Sequence, residues 1–460
     1  MKLNRQMTLY DIERYELIVD NFAGGGGASS GIEMAVNRPV DIAINHNPKA
    51  IGMHQTNHPF TKHYCEDVWE INPYEVTKGK SVGLAWFSPD CKHYSKARGG
   101  KPKDKKIRGL AWVAIKWAAF VKPRVIILEN VEEFRGWGPL IENCKGELVP
   151  DPARKGETFN YFIQALEENG YLVEYRELKA CDYGAPTSRK RFFLIARADG
   201  KKIIWPSPLY GNPKDEKVIN GKLKPWKTAA EIIDWSIPGK SIFERKKRLA
   251  ENTIKRIIRG IKRFIIENPN PFIVRYIDNQ ETFSNDNNHS GKKSYKVEQE
   301  QNETAVNDKN ILIDHFISKY ISKPILDKLL ITSNCIDHHS VVKAFIIKYY
   351  GDDTGQDIRT PLHTITSKDR FGLITIEYNQ YKIIDICLRM LIPRELFNAQ
   401  GFLTEYIINC DYKGNKISKK IQVENCGNSV SPLIAKSLVK ANSTELIEVY
   451  ENSIEGLHYG

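Results

Sequence analysis

Short apolar runs alternate with amphipathic stretches over the first 200 residues. Leu17-Ile18-Val19-Asp20 is an apolar run that ends in a glycine cluster, Gly24 to Gly27, and Ser29 to Val36 then reads as a helix. Val40 to Ile44 and Leu84 to Phe87 read as further strands. From Ile107 to Val121 the apolar residues fall at 107, 110, 111, 114, 117, 118 and 121, which is helical spacing. That stretch stops at Lys122-Pro123, where Val125-Ile126-Ile127-Leu128 begins a new apolar run. Phe192 to Ala196 has the character of a late strand of the same sheet. Strands apolar on both faces, interleaved with amphipathic helices, predict an α/β fold: a mostly parallel sheet with helices on both faces.

Beyond residue 200 the pattern changes. Pro206, Pro208, Pro213, Pro225 and Pro238 break up any long helix. Ile242 to Ile266 then carries one apolar stripe (Leu249, Ile254, Ile257, Ile258, Ile261, Phe264, Ile265), with Lys255, Arg256, Arg259, Lys262 and Arg263 on the other face. A docked helix with a solvated basic side and a phosphate-contacting helix both fit this pattern. Residues 278–310 are polar, with few apolar positions, and read as a mobile insertion. Apolar periodicity returns near the end, notably over Pro432 to Val439.

Composition narrows the function classes. The 460 residues are 41% hydrophobic and 27% charged, so a large core is available and wholesale disorder is excluded. A net charge of +12 favours a polyanionic partner. No apolar run is long enough to span a bilayer, and the start lacks a signal-peptide core, so a cytoplasmic protein without membrane contact is expected. The eight cysteines form no C-x-x-C pair and no zinc spacing, so reduced thiols and no metal are expected.

In an open parallel sheet, ligands bind beyond the carboxyl ends of the strands, and the chemically interesting residues fall there repeatedly. Asp20 to Gly27 closes the first strand, Asn45 the second and Asp67 the third; Cys91 follows the fourth and Glu129-Asn130 the fifth. The glycine cluster fails the strict dinucleotide fingerprint, because both registers end on Ser29 or Ser30. With Phe22 before it, the loop suits an adenosine ligand without a pyrophosphate. Ser88-Pro89-Asp90-Cys91-Lys92-His93 puts a thiol in a polar, basic loop, where a thiolate becomes available. Asp90 opposes that ionisation, and His93 is close in sequence for a Cys/His pair. Glu129, at the end of an apolar strand, is placed for burial and a raised pKa, or else simply caps the next turn. Arg189 and Arg191 alternate just before the last strand and read as orienting a planar or anionic substrate, with surface charge as the alternative.

Together these residues resemble the DNA (cytosine-5) methyltransferases. Asp20-Asn21-Phe22-Ala23-Gly24-Gly25-Gly26-Gly27 resembles the family's S-adenosylmethionine motif, and Asp67 in Cys65-Glu66-Asp67-Val68 its adenine-contacting acid. Ser88-Pro89-Asp90-Cys91 matches the Pro-Cys nucleophile loop, with Asp90 where the family has proline, and Glu129-Asn130-Val131 matches its E-N-V. Tyr183 to Arg191 resembles the G-x-P-Q-x-R-x-R segment with Thr187 in place of Gln; Arg394-Glu395 to Gln400-Gly401-Phe402 and Gly427-Asn428-Ser429-Val430 resemble the last two motifs. The usual acidic ribose ligand aligns with Asn45.

The resemblance implies a Rossmann-like methyltransferase fold and methylation of cytosine C5 in double-stranded DNA through base flipping and a covalent Cys91–C6 intermediate. It implies catalytic Cys91, Glu129, Arg189 and Arg191, and an S-adenosylmethionine site of Asp20, Phe22, Ala23, Gly24, Gly26, Gly27, Asn45, His46, Asp67, Val68, Pro89, Asn428 and Ser429. Expected DNA contacts are Ser95, Lys96, Arg256, Arg259, Lys368 and Arg370. The expected organisation is a catalytic domain over 1–200, a smaller irregular target-recognition domain over 201–419 and a C-terminal segment, 420–460, that returns to the first domain. A monomer serving restriction-modification or phage protection fits this picture. The alternatives are an RNA cytosine-5 methyltransferase, a catalytically silent DNA-binding relative and a nicotinamide dehydrogenase.

Overall fold

The structure is a computed structural model and describes residues 15–90, 109–268, 271–274, 341–350, 355–379 and 382–446, with single positions at 313, 316 and 319. The chain forms two compact units. One comprises the segments up to Ile232, Pro361–Asp369 and from Ile392 onward; the other comprises Ile233–Thr360 and Arg370–Leu391.

In the first unit the chain runs β1 (Leu17–Asn21), α1 (Gly27–Val36), β2 (Ile42–Ile44), α2 (Pro48–Asn57), β3 (Lys62–Tyr64), α3 (Pro73–Thr77), β4 (Val82–Phe87), α4 (Val113–Val121), β5 (Val125–Asn130), α5 (Glu157–Glu168), β6 (Leu172–Lys179) and β7 (Lys190–Arg197). These strands make one sheet in the order β3-β2-β1-β4-β5-β7-β6. All neighbouring pairs from β3 to β5 are parallel, while β7 runs antiparallel to both β5 and β6. The apolar runs are explained by burial on both faces. Ile126 and Leu128 enter a core with Trp117, Phe134 and Phe162, while Val125 and Ile127 enter another with Ile32, Ile434 and Leu438. Helix α1 begins at Gly27, before the expected Ser29, and α4 only at Val113, after a single 3₁₀ turn (Leu110–Trp112).

The unit boundaries differ from the 200 and 419 read from sequence, and hydrogen bonds explain why. The proline-rich stretch after 200 is an extended coat on the first unit: the Tyr183 hydroxyl donates to the Pro206 carbonyl (3.0 Å), Leu209 N–H to the Asp182 carbonyl (2.9 Å) and the Trp226 indole to the Asp182 carboxylate (2.9 Å). Residues 361–369 also belong here, because Leu362 N–H donates to Pro186 O and Ser188 N–H to Leu362 O, both at 2.8 Å. The unit resumes at α7 (Pro393–Gln400) and continues through α8 (Lys419–Asn428) and α9 (Pro432–Asn442). Gly31 in α1 faces the Pro432 carbonyl so closely that a Cβ would lie 2.3 Å from it.

The second unit is an antiparallel sheet of β8 (Lys240–Ser241), β9 (Ile273–Val274), β10 (Val341–Lys348), β11 (Phe371–Asn379) and β12 (Lys382–Met390), ordered β8-β12-β11-β10-β9. Helix α6 (Glu251–Gly260) lies on it and continues as a π-helical turn, Ile261–Ile266. The predicted helix was longer: residues 242–250 are not helical. Its apolar stripe does pack, with Ile257, Ile261, Phe264 and Ile265 joining Phe345, Ile374 and Ile386 in one core. The insertion expected at 278–310 lies outside the described residues.

Candidate active site

Strands β4 and β5 deliver the first two pieces. Phe87 pairs with Leu128, so Ser88-Pro89-Asp90, just past β4, lies beside Glu129 and Asn130, the last two residues of β5, at the carboxyl edge of the sheet. The Asn130 amide donates to the Pro89 carbonyl at 3.4 Å and accepts from Val131 N–H at 2.8 Å, tying the approach to Cys91 to the strand that carries Glu129. Glu129 is 8% exposed; burial raises its pKa, while Arg191 and then Arg189 act against that rise.

Strand β7 supplies the third piece by reversing direction. Glu129 pairs with Phe193 and Asn130 with Phe192, which brings the preceding Arg191 to the same edge. Arg191 Nε stands 3.2 Å from Glu129 Oε1. Arg189, 4% exposed, donates instead to the Ile365 and Ser429 carbonyls, both at 3.1 Å. Gln400 also donates to the Ser429 carbonyl (2.9 Å), so one backbone oxygen joins three distant segments. Sequence reasoning passed over Gln400; its place inside a matched motif was the available signal.

The glycine loop turns sharply as it leaves β1. Phe22, Gly24 and Gly26 have φ of 63°, 55° and 90°. At Gly26 a Cβ would fall 2.1 Å from the Tyr406 hydroxyl and 2.8 Å from His58, so only glycine fits. At Gly24 a Cβ would meet nothing nearer than the Phe22 carbonyl at 3.8 Å, which leaves that side of the backbone open to a ligand. Beneath the loop Asp20 Oδ1 and both polar side-chain atoms of Asn21 are buried without a partner. A cavity of about 460 Å³ adjoins, lined by Asn47, Pro48, Lys49, Ser418, Lys420, Ile421, Glu424 and Asn425. Asn425 closes it toward the loop, since its Cβ lies 3.3 Å from where a Gly25 Cβ would be. An open glycine turn, orphaned polar groups and strand-end acids and amides fit an adenosine-bearing ligand.

Among the other expected ligand residues, Asn45 follows β2 and Asp67 follows β3. Asn45 is half-buried, and its Oδ1 accepts from Asn47 N–H at 2.9 Å. His46 and Asp67 are exposed, Asp67 accepting from Trp69 N–H at 3.0 Å. Ala23, Gly27, Val68 and Pro89 are buried. Asn428 ends α8 exposed, while the Ser429 hydroxyl donates to the Cys426 carbonyl at 2.7 Å. Cys91, Ser95 and Lys96 lie outside the described residues. The expected DNA contacts are divided: Lys368 falls in the first unit, and Arg256, Arg259 and Arg370 in the second. Arg259 is exposed, the Arg256 guanidinium lies 5.9 Å from the Tyr349 ring centroid, and Arg370 donates to the Tyr349 carbonyl at 2.7 Å.

The family model "C-5 cytosine-specific DNA methylase" matches residues 17–443. Type II methyltransferase M.AgeI of Thalassovita gelatinovora is 27% identical over 206 residues, covering 44% of this chain and 44% of its own. Type II methyltransferase M.AquIA of Picosynechococcus is 26% identical over 226 residues, covering 47% of this chain and 87% of its own. The chain thus spans under half of M.AgeI and most of M.AquIA. Among solved structures, the Entamoeba histolytica methyltransferase EhMeth aligns at 14% identity and a TM-score of 0.47, covering 94% of this chain and 98% of its own. Among the described residues no helix is long and apolar enough to cross a membrane.

Proposed function

Because the chain belongs to the C-5 cytosine-specific DNA methylase family, we propose that it transfers a methyl group to C5 of cytosine in double-stranded DNA. The observation that carries this reading is the joining of Glu129, Arg191 and the Pro89 carbonyl at one sheet edge, the last being two residues from Cys91. S-adenosylmethionine, when bound, supplies an electrophilic methyl group on its sulfonium. Asp20, Phe22, Gly24, Asn45, Asp67 and Ser429 are the residues proposed to hold it.

Cytosine C5 is a weak nucleophile. In this reading the Cys91 thiolate adds to C6, which turns C5 into the nucleophilic end of an enamine. Glu129 donates a hydrogen bond or a proton to N3, so that negative charge does not accumulate on the ring; a carboxyl raised by burial is suited to that work. Arg191 orients the substrate on the O2 side and holds Glu129 in place. Arg189 fixes the Ser429 carbonyl and hence the turn after α8. Loss of the C5 proton and elimination of Cys91 restore the enzyme. A base within a duplex lies out of reach of such a site, so the target must be flipped, at a cost of a few kcal/mol. The second unit, with Arg256 and Arg259, is proposed to read the target, and the biological setting to be protective DNA modification.

The test is covalent trapping on duplex DNA containing 5-fluorocytosine in the presence of S-adenosylmethionine. The expected result is a denaturation-resistant adduct with the wild type and none with Cys91→Ser. No adduct with either protein overturns the mechanism, and an adduct with 5-fluorocytosine RNA only would move the substrate to RNA.

A further inference from the structure

The glycine loop rests on two chains of buried polar side chains. In the first, Ser29 Oγ lies 2.7 Å from Asp20 Oδ2, His54 Nε2 lies 2.9 Å from Ser29 Oγ, and His54 Nδ1 lies 2.8 Å from His63 Nε2. Asp20, Ser29 and His54 are each 0% exposed, whereas His63 is half-buried on the short strand β3. In the second, His58 Nδ1 lies 2.9 Å from Glu33 Oε2, Ser30 Oγ donates to the Gly26 carbonyl (2.7 Å) and the Tyr406 hydroxyl donates to the Gly25 carbonyl (2.6 Å).

We propose that Ser29, His54 and His63 form a proton wire ending on Asp20, so that the carboxyl beneath the glycine loop gains and loses its proton through the β3 side of the molecule.

The direction of each hydrogen bond follows from counting hydrogens. The Ser29 hydroxyl has only one. When Asp20 is ionised, Ser29 donates to it and accepts from His54 Nε2–H. His54 Nδ1 is then an acceptor and His63 Nε2–H the donor. When Asp20 is protonated the same contacts run the opposite way: Asp20 donates to Ser29, Ser29 to His54 Nε2, and His54 Nδ1–H to His63 Nε2. To pass from the first state to the second, three protons each advance by one hydrogen bond and His63 takes one proton from solvent on its other nitrogen. The wire gains one proton, Asp20 goes from −1 to neutral, and no heavy atom has to move.

The second chain cannot reverse in this way, because Ser30 and Tyr406 hold loop carbonyls, which only accept, and Glu33 holds His58. The titratable groups facing the wire are Glu33 from α1, His58 just past the end of α2 and Tyr406 from the segment after α7. Burial, with His58 and His63 beside it, holds His54 well below the ordinary histidine range, so its ring passes protons without keeping one. Burial brings Asp20 up to about 7, where small pH changes move its charge. On the cofactor reading above, a cationic ligand on the loop would meet a carboxylate above neutrality and a neutral acid below it.

The wire is tested on the full chain without DNA or cofactor, so its failure leaves the methyl-transfer reading untouched. Ring-nitrogen and Asp carboxyl NMR shifts are followed from about pH 5.5 to about pH 8.5, a window that brackets Asp20. The expected result is that His54 passes from Nδ1–H to Nε2–H with the same midpoint as Asp20 ionisation. Ser29→Ala should hold His54 in one tautomer while Asp20 still titrates, and Ser29→Thr should restore the switch. Should Ser29→Ala fail to fold, the wild-type titration decides. A His54 ring that keeps one tautomer while Asp20 titrates, or an Asp20 that does not titrate in this window, overturns the wire.

Discussion

At the scale of single residues, the buried carboxylates Asp20 and Glu129 have opposite surroundings. Glu129 has a guanidinium at 3.2 Å, whereas Asp20 has only neutral hydrogen-bond partners and an unpartnered Oδ1. Glu129→Gln is expected to lower methyl transfer by about 10²- to 10⁴-fold, the usual weight of a general acid, with little change in melting temperature. A single-turnover assay beside a thermal melt separates the two effects. For Asp20 the folded value near 7 exceeds the reference value of 3.8, so between them the native state holds more protons than the unfolded chain. Stability should therefore fall as pH rises from about 4 to about 7, by about 4 kcal/mol over the whole range. Asp20→Asn should abolish that slope, which urea titrations at several pH values would reveal. The raised pKa of Glu129 was legible from its place at the end of an apolar run. The histidines were not, because three separate histidines in sequence give no sign that they meet.

At the scale of elements, the reversed strand β7 places Arg191. In a fully parallel sheet, residues at the start of the last strand would lie at the amino edge, away from every other candidate residue. The antiparallel pairing of β7 with β5 carries Arg191 to the carboxyl edge. Apolar periodicity gives the existence of this strand, but its direction depends on which neighbour it meets. Helix contact is equally specific. A Gly31→Ala methyl would sit 2.3 Å from the Pro432 carbonyl and 2.6 Å from Ala435 Cβ, so α1 and α9 would have to separate. The expected loss is about 1–3 kcal/mol in chemical denaturation, typical of overpacking. At Gly427 a Cβ would meet Thr366 and Ser367 backbone at 2.3 and 2.4 Å, which explains a glycine inside the last motif.

At the scale of the whole molecule, the net charge of +12 acts as a long-range attraction for a polyanion. Arg256→Ala with Arg259→Ala should weaken duplex binding and reduce the slope of log affinity against log salt by about one for each phosphate no longer neutralised. Filter binding across a salt series would show it, and an unchanged slope would remove both residues from the interface. The division into units was only partly legible. The shift in composition near residue 200 marks a change from sheet and helix to extended coat, whereas the compact unit runs to Ile232 and takes back Pro361–Asp369. Backbone hydrogen bonds such as Leu362 to Pro186 make that assignment, and they leave no mark on composition.

The sequence by itself determined the α/β class, most strand positions, the glycine turn and the ordered set of motifs, because local periodicity and turn chemistry are written in neighbouring residues. Tertiary structure decided the direction of β7, the pairing of Arg191 with Glu129, the return of residues 361–369 and the meeting of Asp20, Ser29, His54 and His63. Each of those joins residues that are not neighbours along the chain, and the identity of such a partner is fixed by packing and burial across the whole unit.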